Sequence, residues 1–230
     1  MTLSRRQFFV AGSLLATSVA VGAQTYPPAF PRPTAKKLFE TDRIVVWDIA
    51  WPKGYATPLH RHLYDQVGTY YATGGRIITT PDGEKRSSTT PVGGLSTTKR
   101  GTTHIEEGAT DPPLRAVFIE MKKDEGSGQP EAPAAMAPPW VRDSSKPLLD
   151  DQRVVVWDYT WKPGAPAAST YTRDTVLVWL GTGKIRLTPQ GGRAAVVDVV
   201  PGQVRRYARG AVETVEVLDG SPRGMIFAFK

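Results

Sequence analysis

Three histidines, the only ones in this chain of 230 residues, are spaced as the ligands of a metal ion would be in a β-sheet. His60 and His62 are two residues apart in a strand-like run, and His104 lies in a second such run. Side chains two apart on a strand point to the same face, so two imidazoles can meet at one point and an antiparallel neighbour can supply the third. Three neutral imidazoles suit one divalent transition metal (iron, manganese, nickel, zinc or copper) and suit calcium poorly. The alternative is two surface histidines and one unrelated core histidine.

The framework around these histidines occurs twice in the chain. Residues 43–54 (RIVVWDIAWPKG) reappear as residues 153–164 (RVVVWDYTWKPG), with 7 of 12 positions identical at an offset of 110 residues. The parallel continues downstream, where residues 76–81 match residues 184–189. This pattern predicts a tandem duplication of one domain of about 100 residues.

Both copies read as short strands rather than helices. Runs rich in β-branched and aromatic residues are punctuated by Gly, Pro and Asp at intervals of about ten residues, which is typical of an all-β sandwich or barrel. We predict an N-terminal barrel over residues 24–125 and a C-terminal barrel over residues 148–230. Proline density between them predicts an extended linker over residues 126–147, with Trp140 packed back on a barrel.

The first 23 residues are typical of an export signal. Arg5 and Arg6 form a twin-arginine pattern, a mildly apolar stretch follows over residues 8–22, and small residues precede a cut at Gln24. This predicts export by the Tat machinery, as an already folded protein, to the periplasm or the exterior, where the mature chain is a monomer or homodimer. A membrane anchor is the alternative, but about 15 apolar residues fall short of the roughly 20 needed to span a bilayer.

Composition limits the remaining functional classes. The formal charge of +7 is spread over both copies without a long basic run, which argues against nucleic-acid binding. The chain contains no cysteine, so it cannot use disulfides even in an oxidising compartment. The mature chain must be held together by core burial, for which its length is sufficient.

The histidines belong to a longer pattern. In order, it consists of Gly54, His60, His62, Gln66, Gly101 and His104. This pattern resembles the two motifs of the cupin superfamily, and the duplication makes the whole mature chain similar to a bicupin. The resemblance implies two tandem jelly-roll β-barrels, with a metal in the mouth of each barrel whose ligands are intact.

The chain departs from the family at one ligand, because Gln66 stands where the family has a glutamate. An amide oxygen is a weaker ligand than a carboxylate, so we expect His60, His62 and His104 to bind the metal and Gln66 to bind weakly or through water. If the strand is unbulged, Gln66 faces inward with the histidines and Asp65 faces outward. A bulge between His62 and Gln66 would exchange those two roles.

Three residues are candidates for catalysis: Tyr64, Gln66 and Glu106. Tyr64 shares the parity of His62, but simple packing is the alternative. Glu106 shares the parity of His104 and could orient an imidazole from outside the ligand set, whereas a solvated carboxylate at the rim is the alternative.

The second copy lacks the histidines. The match between the copies places Thr170, Thr172 and Glu213 at the three ligand positions, a set that is poor for a transition metal. We therefore predict a metal-free C-terminal barrel in which Arg186 or Arg173 pairs with Glu213. Its predicted role is to cover an edge or face of the first barrel; the alternative is that it binds an organic ligand.

Together these features predict an exported metalloenzyme with one mononuclear site in the N-terminal barrel. Family analogy implies oxygenase, isomerase or decarboxylase chemistry on a small organic substrate, although a fold does not determine a function. The competing hypothesis is a non-catalytic periplasmic protein that binds a metal or a small ligand.

Overall fold

The computed structural model describes residues 25–123, 128–164 and 166–230. The predicted signal segment, residues 1–23, lies outside this part of the chain. Within it, nearly all regular structure is β-strand, and no helix has the length and apolar character needed to cross a membrane.

The first barrel is built from nine antiparallel strands in two sheets. The strands are β1 (Ala35–Glu40), β2 (Ile44–Trp51), β3 (His60–Arg61), β4 (Asp65–Ala72), β5 (Gly74–Thr79), β6 (Lys85–Thr90), β7 (Leu95–Thr98), β8 (Thr103–Gly108) and β9 (Leu114–Met121). One sheet has the order β1-β2-β9-β4-β7, and the other has the order β3-β8-β5-β6. The two sheets face each other as in a jelly roll.

The second barrel repeats this topology strand for strand. A short helix α1 (Pro139–Arg142) precedes β10 (Leu149–Asp150), β11 (Val154–Thr160), β12 (Ala167–Thr170), β13 (Thr175–Trp179), β14 (Gly183–Pro189), β15 (Ala195–Val199), β16 (Val204–Tyr207), β17 (Val212–Gly220) and β18 (Arg223–Phe229). The sheet orders are β10-β11-β18-β13-β16 and β12-β17-β14-β15, which are the orders of the first barrel. The predicted all-β fold of two tandem barrels is confirmed.

The two five-stranded sheets pack against each other and form one shared core. Val46 and Ile119 from the first barrel and Val156 and Phe227 from the second are buried in the same apolar cluster. Because these strands are covered on both faces, their sequences are almost continuously apolar. The second barrel thus covers a face of the first, which is one of the two arrangements that we expected from the sequence.

Two arginines at equivalent positions cross the boundary between the barrels. Arg153 donates from Nη1 to Asp65 Oδ2 at 2.9 Å and from Nη2 to the Met121 carbonyl at 2.9 Å. In the opposite direction, Arg43 donates from Nη2 to the Lys230 carbonyl at 2.6 Å. The contact therefore has an approximate twofold character, as expected for duplicated units that associate through the same face.

An extended segment precedes each barrel and pairs with its short strand. The N-terminal arm, residues 25–34, accepts a hydrogen bond from Arg61 N at the Pro27 carbonyl (2.9 Å), and its Phe30 stacks on Trp47 with ring centroids 4.8 Å apart. The linker accepts one from Thr170 N at the Met136 carbonyl (2.8 Å). Trp140 is buried against the second barrel, as predicted from the sequence.

Candidate metal centre

The three histidines meet where β3 pairs with β8. His60 and His104 lie directly opposite each other in the register of this pair. His62 follows β3 immediately, and its backbone continues the ladder: its N–H donates to the Thr102 carbonyl at 2.9 Å and its carbonyl accepts from Gly101 N at 2.8 Å. The structure thus brings together the three residues that strand parity predicted.

The imidazoles form a compact triangle. Ring centroids are 5.3 Å apart for His60 and His62, 4.8 Å for His60 and His104, and 5.0 Å for His62 and His104. One ring nitrogen from each histidine lies within 4.8 Å of the others, and all three residues are buried. The Nε2 atoms of His62 and His104 are 3.1 Å apart.

Hydrogen bonding fixes the tautomer of His60. Its Nδ1 lies 3.0 Å from the Pro58 carbonyl oxygen and 3.3 Å from Thr57 Oγ1. Since a carbonyl only accepts, Nδ1 carries the proton and Nε2 carries a lone pair. That Nε2 is buried and has no hydrogen-bond partner among the described residues. Its lone pair is therefore available to bind a metal ion.

The imidazoles are neutral. Burial and, to a smaller extent, the neighbouring His104 lower the pKa of His62 to about 3. Burial also lowers the pKa of His104 to about 4, although Glu106 acts in the opposite direction. Neutral rings present lone pairs, which is what a metal ion requires.

The donor set fits a divalent transition metal. Two nitrogen ligands that each lie about 2.1 Å from one ion at roughly a right angle are about 3 Å apart. The observed Nε2 separation of His62 and His104, 3.1 Å, agrees with that geometry. The group of His60, His62 and His104 can therefore hold a metal ion.

Glu106 lies inside the barrel, and the alternative of a solvated carboxylate at the rim is wrong. Its side chain is 4% exposed, and its Oε1 lies 4.0 Å from Nε2 of His104. Arg32 Nη1 donates to Oε2 at 2.6 Å, and Arg76 Nη1 donates to Oε1 at 2.7 Å. Burial alone would raise the pKa of Glu106, but the two arginines hold it well below its usual range, so the carboxylate is ionised.

These two arginines are the residues that the sequence did not predict. Arg76 lies on β5 and also donates from Nη2 to the Tyr70 hydroxyl at 2.8 Å. Arg32 comes from the N-terminal arm, and both guanidinium groups lie against the Trp51 ring, at 5.7 Å for Arg32 and 5.1 Å for Arg76. The sequence match aligns Arg76 with another basic residue, Lys184, whereas the register of the strands aligns it with the buried Ile185, so the comparison of the two copies could not single out Arg76.

Tyr64 does not share a strand with the histidines. The chain bends at Leu63 and Tyr64, between β3 in one sheet and β4 in the other, so the condition of an unbulged strand from His60 to Gln66 is not met. Tyr64 is partly exposed. Its catalytic role stays a prediction.

Gln66 nevertheless faces the interior and Asp65 faces outward, as we expected for a strand without a bulge. It is buried, whereas Asp65 points to Arg153 of the second barrel. Gln66 Nε2 donates to Thr98 Oγ1 at 3.2 Å, and its Oε1 has no hydrogen-bond partner in the described part of the chain. Its weak or water-mediated binding of a metal stays a prediction.

A small pocket opens beside His60. Its volume is about 260 Å³, and it is lined by prolines of the N-terminal arm together with Arg32, Tyr55, Thr57 and His60. Its walls are largely apolar, and they also include one candidate metal ligand, His60, and one cationic residue, Arg32. This is the arrangement of a site for a small ligand.

In the second barrel, two of the three residues at the positions of the histidines differ from those that we predicted. In its register Ser169 pairs with Glu213, and Tyr171 N donates to the Ala211 carbonyl at 2.9 Å, as His62 does to Thr102. Ser169 and Tyr171 therefore replace His60 and His62, rather than Thr170 and Thr172. The reason is a loop that is one residue shorter after Gly164 than after Gly54, so the offset of 110 residues between the copies no longer holds after Gly164.

Glu213 does stand at the position of His104, but its predicted partners are wrong. It accepts hydrogen bonds from Arg205 and from the Tyr207 hydroxyl, the latter at 2.7 Å. Arg186 pairs with Glu216 and Arg173 pairs with Glu131 instead. The ring of Tyr207 stacks on that of Tyr171 at 3.7 Å between centroids, so aromatic rings fill the space.

Solved structures with the cupin fold resemble this chain. AerE from Microcystis aeruginosa aligns with a TM-score of 0.58 at 9% identity, over 86% of this chain and 97% of that one. A cupin 2 conserved barrel domain protein from Leptotrichia buccalis aligns with a TM-score of 0.54 at 12% identity, over 85% and 88%. An oxalate decarboxylase from Bacillus subtilis that has Mn(II) centres aligns with a TM-score of 0.50 at 14% identity, over 82% and 69%. No protein-family model and no curated protein matches the chain. The fold is thus that of two tandem cupin-type jelly-roll barrels.

Proposed function

We propose that this chain is an exported enzyme that holds one divalent transition metal in its N-terminal barrel and acts on a small organic substrate. The observation that carries the proposal is the convergence of three buried, neutral imidazoles beside a pocket of about 260 Å³. Similarity of fold to an oxalate decarboxylase with Mn(II) centres supports it.

His60, His62 and His104 would hold the metal, and three protein ligands leave coordination positions open for a substrate or water. A bound divalent ion supplies Lewis-acid chemistry or an activated water at such positions. The Pro58 carbonyl holds the ring of His60 in the orientation that aims Nε2 inward.

Glu106 is a positioning residue in this proposal. Its carboxylate holds Arg32 and Arg76 next to the histidines and compensates positive charge there. Because it is ionised, it enters as a charge rather than as a proton donor. Tyr64 and Gln66 stay as candidates for contact with the substrate or with a bound water.

The presence of the metal is tested by elemental analysis of the mature protein, purified after export by its native route. We expect close to one divalent transition metal per chain. The loaded protein is then incubated with dioxygen and a panel of small diols, thiols and keto acids, and product formation is measured. Zero metal contradicts the proposal, whereas one metal without turnover of any substrate favours the competing reading, a non-catalytic metal- or ligand-binding protein.

Export is tested separately. The twin-arginine pattern at Arg5 and Arg6 supports passage through the Tat machinery. The double variant Arg5→Lys, Arg6→Lys should accumulate in the cytoplasm as the uncut chain, whereas the wild-type chain should appear in the periplasmic or secreted fraction without its first 23 residues. Equal export of both forms, measured by fractionation and mass spectrometry, contradicts Tat export.

A further inference from the structure

Four nitrogen donors beside the metal centre are buried and have no acceptor among the described residues. They are Nε and Nη2 of Arg32, Nε of Arg76 and Nε1 of Trp51. Each of these groups can only donate a hydrogen bond. Buried polar groups are nearly always paired in folded proteins, so a cluster of unpaired donors indicates an acceptor that comes from outside the chain.

The donors are close together. Arg32 and Arg76 bind the two oxygens of the same carboxylate, Glu106, and both guanidinium groups lie within 6 Å of the Trp51 ring centroid, at 5.7 and 5.1 Å. Two guanidinium groups share one carboxylate, which leaves an excess of one positive charge in the cluster. The imidazoles add none while they are neutral. The missing acceptor is therefore best supplied by an anion.

The free edge of Arg32 has a particular geometry. Nη1 is engaged by Glu106, whereas Nε and Nη2 are both unpaired. The N–H of Nε and one N–H of Nη2 are parallel and form a two-pronged edge that matches the two oxygens of a carboxylate. A carboxylate is thus a better fit than a monoatomic anion or a neutral amide.

Arg32 lies next to the metal centre, because its partner Glu106 is 4.0 Å from Nε2 of His104. Arg32 and His60 line the same pocket of about 260 Å³, whose other walls are arm prolines, Tyr55 and Thr57. The volume is at the small end for ligand pockets, and the walls are mainly apolar. From these observations, and resting on the proposed function, we infer that the substrate is a small carboxylic acid whose carboxylate is bound by Arg32, assisted by Arg76 and Trp51.

Binding includes a movement of the N-terminal arm. The unpaired nitrogen atoms of Arg32 are shielded from solvent, so the acid reaches them while the arm is displaced. The arm is held by two backbone hydrogen bonds to Arg61, of 2.9 and 3.2 Å, and by one from Ala50 N to the Thr34 carbonyl at 2.9 Å. The stack of Phe30 on Trp47 and the ion pair of Arg32 with Glu106 hold it as well. These contacts lie outside the pairing of the long strands, so the arm can open locally without unfolding of the barrel.

Calorimetric titration of the mature, metal-loaded protein tests this inference. The probes are acetate and benzoate, each compared with its neutral analogue, acetamide or benzamide. We expect each acid to bind at least about tenfold more tightly than its amide, because the amide has one acceptor oxygen and no charge. This comparison uses the wild-type chain and does not depend on the folding of any variant. Equal affinities for acid and amide overturn the inference.

Variants then locate the subsite. Arg32→Lys keeps the charge and removes the two-pronged edge, so it should bind the acids about tenfold more weakly while it keeps one metal per chain. Arg142→Lys is the matched control, because Arg142 follows Trp140 as Arg32 follows Phe30 and its side chain lies on the exposed side of the second barrel. Wild-type affinity in a folded Arg32→Lys variant overturns the inference.

Two further readouts separate this inference from the metal proposal. With Mn(II) bound, the methyl proton resonance of acetate should broaden in the wild-type protein and not in Arg32→Lys. Titration after removal of the metal by a chelator shows whether the subsite exists without it. If the protein binds acids but contains no metal, the proposed function is contradicted and the carboxylate subsite is supported. If it contains one metal per chain but shows no preference for acids, the metal proposal is supported and the carboxylate subsite is contradicted.

Discussion

The two barrels share one topology and differ in what fills them. In the first barrel Arg76 on β5 and Glu106 on β8 place charged groups in the interior. The register of the second barrel places Ile185 on β14 and Val215 on β17 at the equivalent positions, and both are buried in an apolar core. The fold therefore forms with or without the charges.

This difference shows where function has altered the framework. An apolar pair such as Ile185 and Val215 stabilises a barrel through burial, whereas a buried carboxylate between two arginines offsets its own desolvation only while all partners are present. The first barrel has the less stable of these two arrangements, the buried charges, next to its three histidines. Such a local conflict with stability is expected at functional sites.

The largest effect should come from the histidines themselves. His62→Ala removes one of three ligands and should reduce the metal content from about one per chain to near zero, because two imidazoles hold a divalent ion much more weakly. Tyr171→Phe changes the equivalent position of the second barrel and should leave the metal content unchanged. Elemental analysis of both variants measures this. Loss of metal in Tyr171→Phe would show that the second barrel takes part in the metal site.

The next effect concerns the buried carboxylates, Glu106 in the first barrel and Glu213 in the second. Glu106→Gln leaves Arg32 and Arg76 buried with a neutral partner, and we expect it to lower the free energy of unfolding by about 3 kcal/mol. Glu213→Gln should cost less, about 1 kcal/mol, since Arg205 is 36% exposed and can be solvated. Urea unfolding of the metal-free proteins, which removes the contribution of the metal, gives both values. Equal costs would mean that the charges of the first barrel are no more isolated from water than those of the second.

Much of this comparison could be predicted from local pattern. The matching strands, the alternation of apolar residues and the parity of His60 and His62 depend on neighbours in sequence, and they correctly predicted two barrels and a group of three histidines that can hold a metal. The direction of Gln66 was also correct, although the strand breaks at Leu63. The side chain of Gln66 still faces inward because β4 pairs with β9 in a register of its own.

The rest depends on contacts between distant segments. Arg32 reaches the site because the N-terminal arm pairs with Arg61, and no pattern in a proline-rich segment indicates that path. The burial of Glu106 follows from two arginines that are 74 and 30 residues away in sequence. The replacement of His62 by Tyr171 was missed because a loop differs in length by one residue, which shifts every position that follows it.

The smallest effect tests the contact between the barrels. Arg153 and Arg43 occupy equivalent positions and cross it in opposite directions. Each substitution by alanine removes charge-assisted hydrogen bonds in a partly buried setting, so each should lower the free energy of unfolding by about 1 to 2 kcal/mol. If the boundary has the approximate twofold character of its hydrogen bonds, the two costs should be similar and should add in the double variant to within about 0.5 kcal/mol. Urea unfolding followed by tryptophan fluorescence measures all three. A double variant that loses cooperativity and unfolds in two steps would show instead that the shared apolar core does not join the barrels into one folding unit, and that these two arginines do.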